Sequence, residues 1–218
     1  MKQLFRFSIL LLAILLPAIA TANDFEVDGI FYNINGNEAE VTNDQSDYFP
    51  YRYTGTVTIP ATVTYNGTTY PVTSIFCNAF NGCEGLTNII IPNSVTEIDD
   101  FAFEDCTGLT SIVIPNSVTD IWESAFQGCT GLTSIVIPNS VTEIGSWAFR
   151  GCSGLTDVYC YIADLSGVSC GNEQFSLDNG DYSGRTLHVL QGTADAYRAD
   201  KNWYPYFGQI VEDIFLGD

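Results

Sequence analysis

The chain has 218 residues, enough for one domain with a sizeable core, and a formal net charge of −19 at pH 7. A surface this acidic repels phosphate backbones and anionic headgroups, which argues strongly against nucleic acid or an anionic membrane as a partner. The acidic residues are spread along the chain rather than gathered in a tail, which is typical of a solvated surface.

The first 22 residues are predicted to be a secretory signal peptide. Lys2 and Arg6 supply the positive start, an apolar run follows, and Ala20–Ala22 offers a cleavage site, with Ala18–Ala20 as the alternative. An N-terminal membrane anchor is the competing interpretation, but the apolar run is short for a membrane span. Cleavage leaves 5 basic against 26 acidic residues, a net charge of −21. We therefore expect an exported protein, placed outside the cell, on its surface or in the periplasm.

Residues 23–52 are predicted to form an N-terminal β cap. Asp24–Asn35 alternates apolar and polar residues as a strand does, Gly36-Asn37 has turn chemistry, and Glu38–Thr42 reads as the returning strand. Such a hairpin would cover the apolar end of an array of repeats.

A repeat with an insertion follows at Tyr53–Cys83. Its two halves match the later repeats, and between them Val63–Tyr65 and Thr68–Tyr70 flank Asn66-Gly67. Asn-Gly favours the type I′ turn of a two-residue β-hairpin. The insertion is therefore predicted to be a small hairpin.

Three full repeats with a period of 23 residues then run from Leu86 to Gly154. The first reads LTNIIIPNSVTEIDDFAFEDCTG, and the next two differ from it at few positions. One repeat is too small to bury its apolar residues, so stacked copies must align them into continuous columns. The sequence predicts a mainly β solenoid over residues 53–154, with about five coils once the partial repeats at both ends are included.

Within a repeat, the pattern predicts two short strands and a turn. Ile89–Ile91 is the first strand, Pro92 sets a corner, and Val95–Ile98 is the second strand. Ala102-Phe103 is predicted to begin a tight helical or 3₁₀ turn, with the phenylalanine filling the interior.

Cysteines follow the same period. Cys83, Cys106, Cys129 and Cys152 lie 23 residues apart, and stacked side chains that point the same way have poor disulfide geometry. We therefore predict a ladder of buried thiols that act as small apolar groups. Outside the ladder, Cys160 and Cys170 are the candidates for a disulfide, and this pairing would leave Cys77 unpaired.

Residues 155–218 are predicted to hold a last partial repeat and a C-terminal cap. Thr193 is expected to cap a short helix, and an aromatic cluster is expected to seal the core. The predicted parts are a first strand through Leu155, Val158 and Cys160, an irregular loop at Ile162–Gly184, a strand at Arg185–Leu190, the helix Ala194–Ala199, the aromatic residues Trp203, Tyr204, Tyr206 and Phe207, and a strand at Ile210–Ile214.

The repeats resemble the BspA-type leucine-rich repeat family, whose pattern is roughly LxxIxIPxSVxxIGxxAFxGCxx. Asp99 and Trp122 depart from it where Gly is usual, and those two coils are expected to bend differently. Ser94, Ser117 and Ser140 stand where the commoner leucine-rich repeat has an asparagine ladder. The flanking segments also resemble caps found around this repeat. The resemblance implies secretion or surface display, with protein binding, adhesion or host interaction in some members, and it implies no catalysis and no shared binding residues.

Candidate binding residues lie at outward phases of the repeat. Ile90, Val113 and Val136 form an exposed aliphatic row, beside which Asn88, Ser111 and Ser134 give a small polar row, and this arrangement is a candidate docking strip. The alternative is that the row is only tolerated, since β-rich faces often carry such residues. Aromatic residues at phases that the repeat does not require are candidate interface anchors. They are Phe101, Trp122 and Trp147, for which packing against the next coil is the alternative.

Chemistry of other kinds is weakly indicated. Gly167–Gly171 matches G-x-S-x-G, but a nucleophile elbow needs a strand before it and a helix after it, and His188 is the only histidine. Glu97, Asp120 and Glu143 form an acidic column in which a cation could relieve repulsion, although a hydrated edge explains it as well. No cofactor, catalytic residue or metal site is predicted.

We therefore expect a secreted or cell-surface, non-catalytic module that binds an extracellular protein. The alternatives are an envelope-associated structural scaffold without a specific ligand, and a carbohydrate-binding module that uses Trp122 and Trp147 as stacking platforms. The sequence leaves the partner and the oligomeric state undetermined.

Overall fold

The computed structural model describes residues 23–43 and 53–215. The predicted signal peptide, part of the predicted N-terminal cap and residues 216–218 lie outside these ranges. Within the two described ranges, no helix is long and apolar enough to cross a membrane.

The described residues form a nine-stranded sheet A and a seven-stranded sheet B. Sheet A contains β1 Phe25–Val27, β2 Ile30–Asn35, β3 Glu38–Thr42, β5 Thr62–Tyr65, β6 Thr68–Ile75, β8 Glu97–Ile98, β10 Asp120–Ile121, β12 Glu143–Ile144 and β14 Ser169–Cys170. Sheet B contains β4 Gly55–Thr58, β7 Leu86–Ile90, β9 Ser111–Val113, β11 Ser134–Ile137, β13 Asp157–Cys160, β15 Thr186–Leu190 and β16 Gln209–Ile214. One helix, α1 Ala194–Ala199, and two 3₁₀ turns, Leu165–Gly167 and Tyr204–Tyr206, complete the described elements.

Each coil gives one strand to each sheet, and equivalent strands pair in parallel. In sheet A, Ile121 lies in register between Ile98 and Ile144, and all three side chains are buried. Alternation along each strand turns the isoleucines inward and the residues between them outward. The predicted solenoid is thereby confirmed. The observed strands begin and end differently from the prediction, since β7 starts at Leu86 and β8 is only Glu97–Ile98.

A third side of the solenoid is built from turns. Backbone N–H groups there donate to the following coil, as from Phe103 to the Ala125 carbonyl at 2.7 Å. The predicted helical or 3₁₀ turn at Ala102-Phe103 is wrong, because these residues form hydrogen-bonded turns that need left-handed residues. Phe101, at φ 58°, and Asp105, at φ 56°, take that conformation.

The phenylalanines of the turns stack through the core. Phe80, Phe103, Phe126 and Phe149 are fully buried, with successive ring centroids 5.0–5.4 Å apart and nearly parallel planes. Phe175 extends this column at 4.9 Å. Buried aromatic rings of this size dominate the energetics of a core, so the column is a main source of the solenoid's stability.

Polar ladders also connect the coils. Ser117 Oγ donates to the Val95 carbonyl at 2.6 Å, and Ser140 Oγ donates to the Val118 carbonyl at 2.7 Å. Ser117 and Ser140 therefore each join their coil to the one before, whereas the buried Ser94 hydroxyl has no hydrogen-bond partner among the described residues. The backbone N–H groups of Asp99, Trp122 and Gly145 each donate to the equivalent isoleucine carbonyl of the preceding coil, at 2.7–2.9 Å. These hydrogen bonds therefore show no difference in bending between the three coils.

The inserted hairpin lies where the sequence predicted it, but the single strand predicted over Asp24–Asn35 is instead the two antiparallel strands β1 and β2. β1, β2 and β3 pair antiparallel in order, and β3 then pairs in parallel with β6, so they extend sheet A beyond the first coil. β5 and β6 form the insertion, with Asn66 at φ 48° and Gly67 at φ 80°, as a type I′ turn requires.

The predicted irregular loop at Ile162–Gly184 is wrong in part, because it contains the second half of a coil. β14 pairs in parallel with β12, and Gln174 and Phe175 are buried. The spacing from Phe149 to Phe175 is 26 residues instead of 23, which hides the match in the sequence. A three-residue insertion therefore masked a coil that continues the Phe column.

The C-terminal cap has the predicted helix α1 but a different N-terminal contact. Thr193 makes no side-chain cap, and its hydroxyl donates instead to the Leu190 carbonyl at 2.7 Å. The Ala194 amide donates to Glu212 Oε1 at 2.8 Å, so a carboxylate of β16 satisfies the helix start. Trp203 and Phe207 are buried against Phe175, as predicted for a seal, whereas Tyr204 is exposed.

The cysteine ladder is buried as predicted. Cys106 Sγ donates to the Phe80 carbonyl at 3.1 Å, and Cys129 and Cys152 repeat this bond one coil further on each time. Burial raises the pKa of Cys152 to about 12, so its thiol stays protonated.

The disulfide predicted between Cys160 and Cys170 is absent. All seven cysteines, each within the described ranges, are free thiols. Cys160 ends a strand of sheet B and Cys170 ends a strand of sheet A, and Tyr197 Oη lies 3.1 Å from Cys160 Sγ. Burial raises the pKa of Cys160 to about 11 and that of Cys170 to about 12, which suppresses the thiolate needed for disulfide exchange.

Candidate binding surfaces

The outer face of sheet B carries the predicted aliphatic row. Ile90 is 51% exposed, Val113 is 72% exposed and Val136 is half-buried. They lie on the adjacent parallel strands β7, β9 and β11, so the side chains form one column across the sheet. We call Ile90, Val113 and Val136 the aliphatic column.

The aliphatic column has a polar neighbour and an aromatic continuation. Asn88, Ser111 and Ser134 are aligned beside it, as predicted from the sequence. In the next strands, Tyr159 pairs with Val136 and His188 pairs with Tyr159. The outer face of sheet B therefore presents apolar and aromatic groups along its middle and small polar groups along one side.

The three candidate aromatic anchors do not join this column. Trp122 is 39% exposed and directly follows β10 of sheet A, while Phe101 and Trp147 are half-buried in the turns. Phe101 and Trp147 have φ of 58° and 61°, a strained conformation for a bulky residue that costs roughly 1–3 kcal/mol. Phe101, Trp122 and Trp147 therefore do not belong to the same surface as the aliphatic column.

Trp147 is engaged with its own surroundings. Its Nε1 donates to Glu173 Oε2 at 3.3 Å, and the Arg150 guanidinium lies 5.9 Å from its ring centroid. Arg150 also pairs with Asp178 at 3.3 Å. Trp122 and Trp147 occupy different phases of their coils, and among the described residues the structure gives no ring contact between them. Local packing therefore accounts for Trp147.

The residue at the Glu104 position differs between copies of the repeat, and the side chains at this position form a ladder of hydrogen bonds between coils. Asn81 and Gln127 donate to opposite oxygens of Glu104, at 2.8 Å and 2.9 Å. Burial raises the pKa of Glu104, and the hydrogen bond from Asn81 opposes this shift. The polar side chains that vary at this position therefore join neighbouring coils.

The outer face of sheet A is acidic. Glu97, Asp120 and Glu143 are in register on β8, β10 and β12. Near the N-terminal strands, Glu97 also lines a polar cleft of about 290 Å³ together with Glu40 and Asp99. Burial and repulsion by Glu97, Glu40 and Asp100 raise the pKa of Asp99 to about 6. Within the described residues, no three His, Cys, Asp or Glu side chains are arranged to hold a metal ion.

The Ser–His pair that a hydrolase would need is not formed. Ser169 belongs to β14 of sheet A, whereas His188 belongs to β15 of sheet B. His188 lies between the buried Leu187 and Val189 and therefore faces outward, and both of its ring nitrogens contact aspartates.

Arg185 is a buried residue whose role sequence reasoning missed. Its guanidinium donates to the carbonyls of Leu155, Phe175 and Cys152, at 2.7–3.1 Å. It therefore ties the Cys152–Leu155 turn to Phe175 in the interior of the C-terminal end. A lone arginine at the start of a predicted strand gave no signal of this role.

Comparison with known families matches these repeats. The BspA type leucine rich repeat region matches residues 45–169 in six copies, more than half of the chain. The chain belongs to the BspA-type leucine-rich repeat family. A comparison with curated proteins finds no match.

Solved structures of leucine-rich repeat proteins share the fold. A leucine-rich repeat protein from Bacteroides ovatus is 30% identical, with 86% of this chain and 53% of that chain covered and a TM-score of 0.56. One from Bacteroides capillosus is 33% identical over 62% of this chain and 96% of that chain, with a TM-score of 0.53. A leucine rich cell surface protein from Faecalibacterium prausnitzii is 22% identical, with 87% and 54% covered and a TM-score of 0.54, and shows the fold alone. The chain spans about half the length of the first and third of these proteins.

Proposed function

We propose that this chain is an exported, non-catalytic binding module that docks a protein partner on the outer face of sheet B. The observation that carries the proposal is the aliphatic column, in which Val113 is 72% exposed on β9, an interior strand of a parallel sheet. Aliphatic side chains aligned in this way form a contiguous apolar surface, and such surfaces on a folded domain are typical of interaction sites.

The scaffold beneath the column supports this function. The strands β7, β9 and β11 that carry it are each held by parallel pairing on both sides, and their inward isoleucines are buried. A surface that is ordered before binding loses little conformational entropy when a partner docks. The small polar column beside it supplies hydrogen-bonding groups for a rim without adding charge.

Export is supported by the residues and by the relatives. Residues 1–22 have the pattern of a signal peptide, and the relative from F. prausnitzii is described as a cell surface protein. We therefore place the partner outside the cytoplasm. A carbohydrate platform finds less support, because Trp122 and Trp147 do not form a paired surface.

Site-specific photocrosslinking tests the proposed face directly. A photoreactive amino acid would replace Val113 on sheet B in one protein and Glu97 on sheet A in the matched control. Both proteins would be incubated with a mixture of extracellular and cell-surface proteins. We expect a discrete protein adduct from position 113 and a weaker or absent one from position 97.

Two outcomes would count against the proposal. Adducts from position 97 alone would move the docking face to sheet A. The absence of adducts from either position, together with no binding on a glycan array, would favour the structural scaffold.

A further inference from the structure

His188 lies at the centre of a contact between three strands of sheet B. It belongs to β15, which pairs with β13 on one side and with β16 on the other. Its side chain is 13% exposed, and its ring stacks on Tyr159 with centroids 4.3 Å apart and planes 14° apart. The only histidine of the chain is thus held in a defined position near the C-terminal end of the solenoid.

Both ring nitrogens face carboxylates. Nε2 lies 3.0 Å from Asp157 Oδ1 on β13, and Nδ1 lies 2.8 Å from Asp213 Oδ2 on β16. An ionised carboxylate only accepts hydrogen bonds, so each nitrogen must carry a proton for both bonds to form. The geometry is therefore that of an imidazolium with two charge-assisted hydrogen bonds.

Each carboxylate is positioned for this contact by the local structure. Thr156 Oγ1 donates to the other oxygen of Asp157 at 2.6 Å. On β16 the register skips one residue, because Glu212 pairs with Val189 and Ile214 pairs with Leu190. Asp213 is the extra residue of this bulge, and bulges re-aim side chains. The irregularity of β16 thus brings Asp213 to the imidazole.

We infer that His188 is a pH-sensitive clasp, which holds the edge strand β16 to β15 and β13 while the ring is charged and releases it when the ring loses a proton. In the described part of the chain, Asp157 and Tyr159 face the ring from β13, and Asp213 faces it from β16. Loss of one proton leaves one nitrogen as an acceptor that meets a carboxylate, so one of the two bonds becomes repulsive.

The direction of the titration follows from these neighbours. Burial lowers the pKa of His188, but the hydrogen bonds and charges of Asp157 and Asp213 outweigh burial and raise the pKa above its ordinary value of 6.5. A raised pKa means that the folded state binds the proton more tightly than the unfolded state. The clasp therefore contributes its full stabilisation of β16 below pH 6.5. This stabilisation is lost as the pH rises through the folded-state pKa of His188.

The sole histidine makes the test direct, because one imidazole signal is expected in the NMR spectrum of the mature protein. A pH titration should give a midpoint above 6.5, with both ring nitrogens protonated below it. The variants D157N and D213N should each lower the midpoint. D120N is the matched control, because Thr119 holds Asp120 on sheet A as Thr156 holds Asp157, but no histidine is present there.

Hydrogen exchange of the β16 amides measures the release itself. After correction for intrinsic rates, protection of β16 should fall as the pH rises through the midpoint, about tenfold for each unit by which the pKa exceeds its unfolded value. H188Q should have weaker β16 protection below the midpoint and no such dependence. A midpoint at or below 6.5, or β16 protection that follows the same pH course in H188Q, would overturn the clasp.

Discussion

The two outer faces of this solenoid are made by the same repeat but have opposite chemistry. On sheet B the outward position is aliphatic, as in Val113, and on sheet A it is acidic, as in Asp120. Parallel in-register pairing places the same phase of each coil side by side. A modest preference at one position of a 23-residue repeat therefore becomes a stripe across a whole face, and each stripe favours a different class of partner.

Side chains at the variable positions of the repeat are of two kinds, those that project from the surface and those that join the coils. The aliphatic and acidic columns project outward and are free to vary without disturbing the core. Glu104 and Gln127 vary between copies as well, but they bond to each other across coils. Variation between copies is therefore an indication of function only where the side chain leaves the solenoid.

The largest effect is expected from breaking the core that both faces share. Phe126→Ala removes a fully buried ring from the middle of the Phe column and should lower the free energy of unfolding by roughly 3–5 kcal/mol. Urea denaturation followed by circular dichroism measures this loss. Trp122→Ala, at a side chain 39% exposed, is the control and should cost far less. Equal losses would contradict the assigned role of the column.

A smaller effect should fall on the sheet A side. A Cβ added to Gly145 would lie 2.4 Å from the Glu123 nitrogen and 2.5 Å from the Trp122 carbonyl carbon, so the backbone must shift. Gly145→Ala should lower the free energy of unfolding by about 1–3 kcal/mol. Gly167→Ala is the matched control, since nothing lies within 4 Å of its added Cβ and its φ is not positive. Thermal denaturation of both variants compares them, and a stable G145A protein would refute the close approach.

The smallest effect concerns the charge of the acidic face. Asp99 has its pKa raised to about 6 by burial and by neighbouring carboxylates, so the folded state holds its proton more tightly than the unfolded state. Stability should then fall as the pH rises from about 4 to about 6. Asp99→Asn should flatten this fall and stabilise the protein at pH 7 by roughly 1 kcal/mol, after allowance for solvent screening. Urea midpoints between pH 4 and pH 7 measure both effects, and destabilisation at pH 7 would contradict the repulsion.

The repeat made most of the frame predictable. Its period placed the inward isoleucines, the Phe column and the cysteine ladder, because identical phases must stack. Phe175 escaped prediction because its spacing is irregular, and Arg185 did so because its partners are backbone carbonyls, which leave no trace in the sequence. The aliphatic column was predicted from its outward phase. That Trp122 and Trp147 lie apart from this column could not be predicted, because it depends on how the two sheets and the turns are arranged in space.

The central claim is that partners dock on sheet B, and one paired measurement tests it most directly. Val113→Lys and Glu97→Lys each place a lysine at an exposed strand position, one on each sheet, with little expected change in stability. Calorimetry or biolayer interferometry would compare their affinities for the protein captured at position 113. We predict that Val113→Lys weakens binding at least tenfold, about 1.4 kcal/mol, and that Glu97→Lys changes it by less than about twofold. Unchanged affinity in Val113→Lys, or a larger loss in Glu97→Lys, would contradict the account.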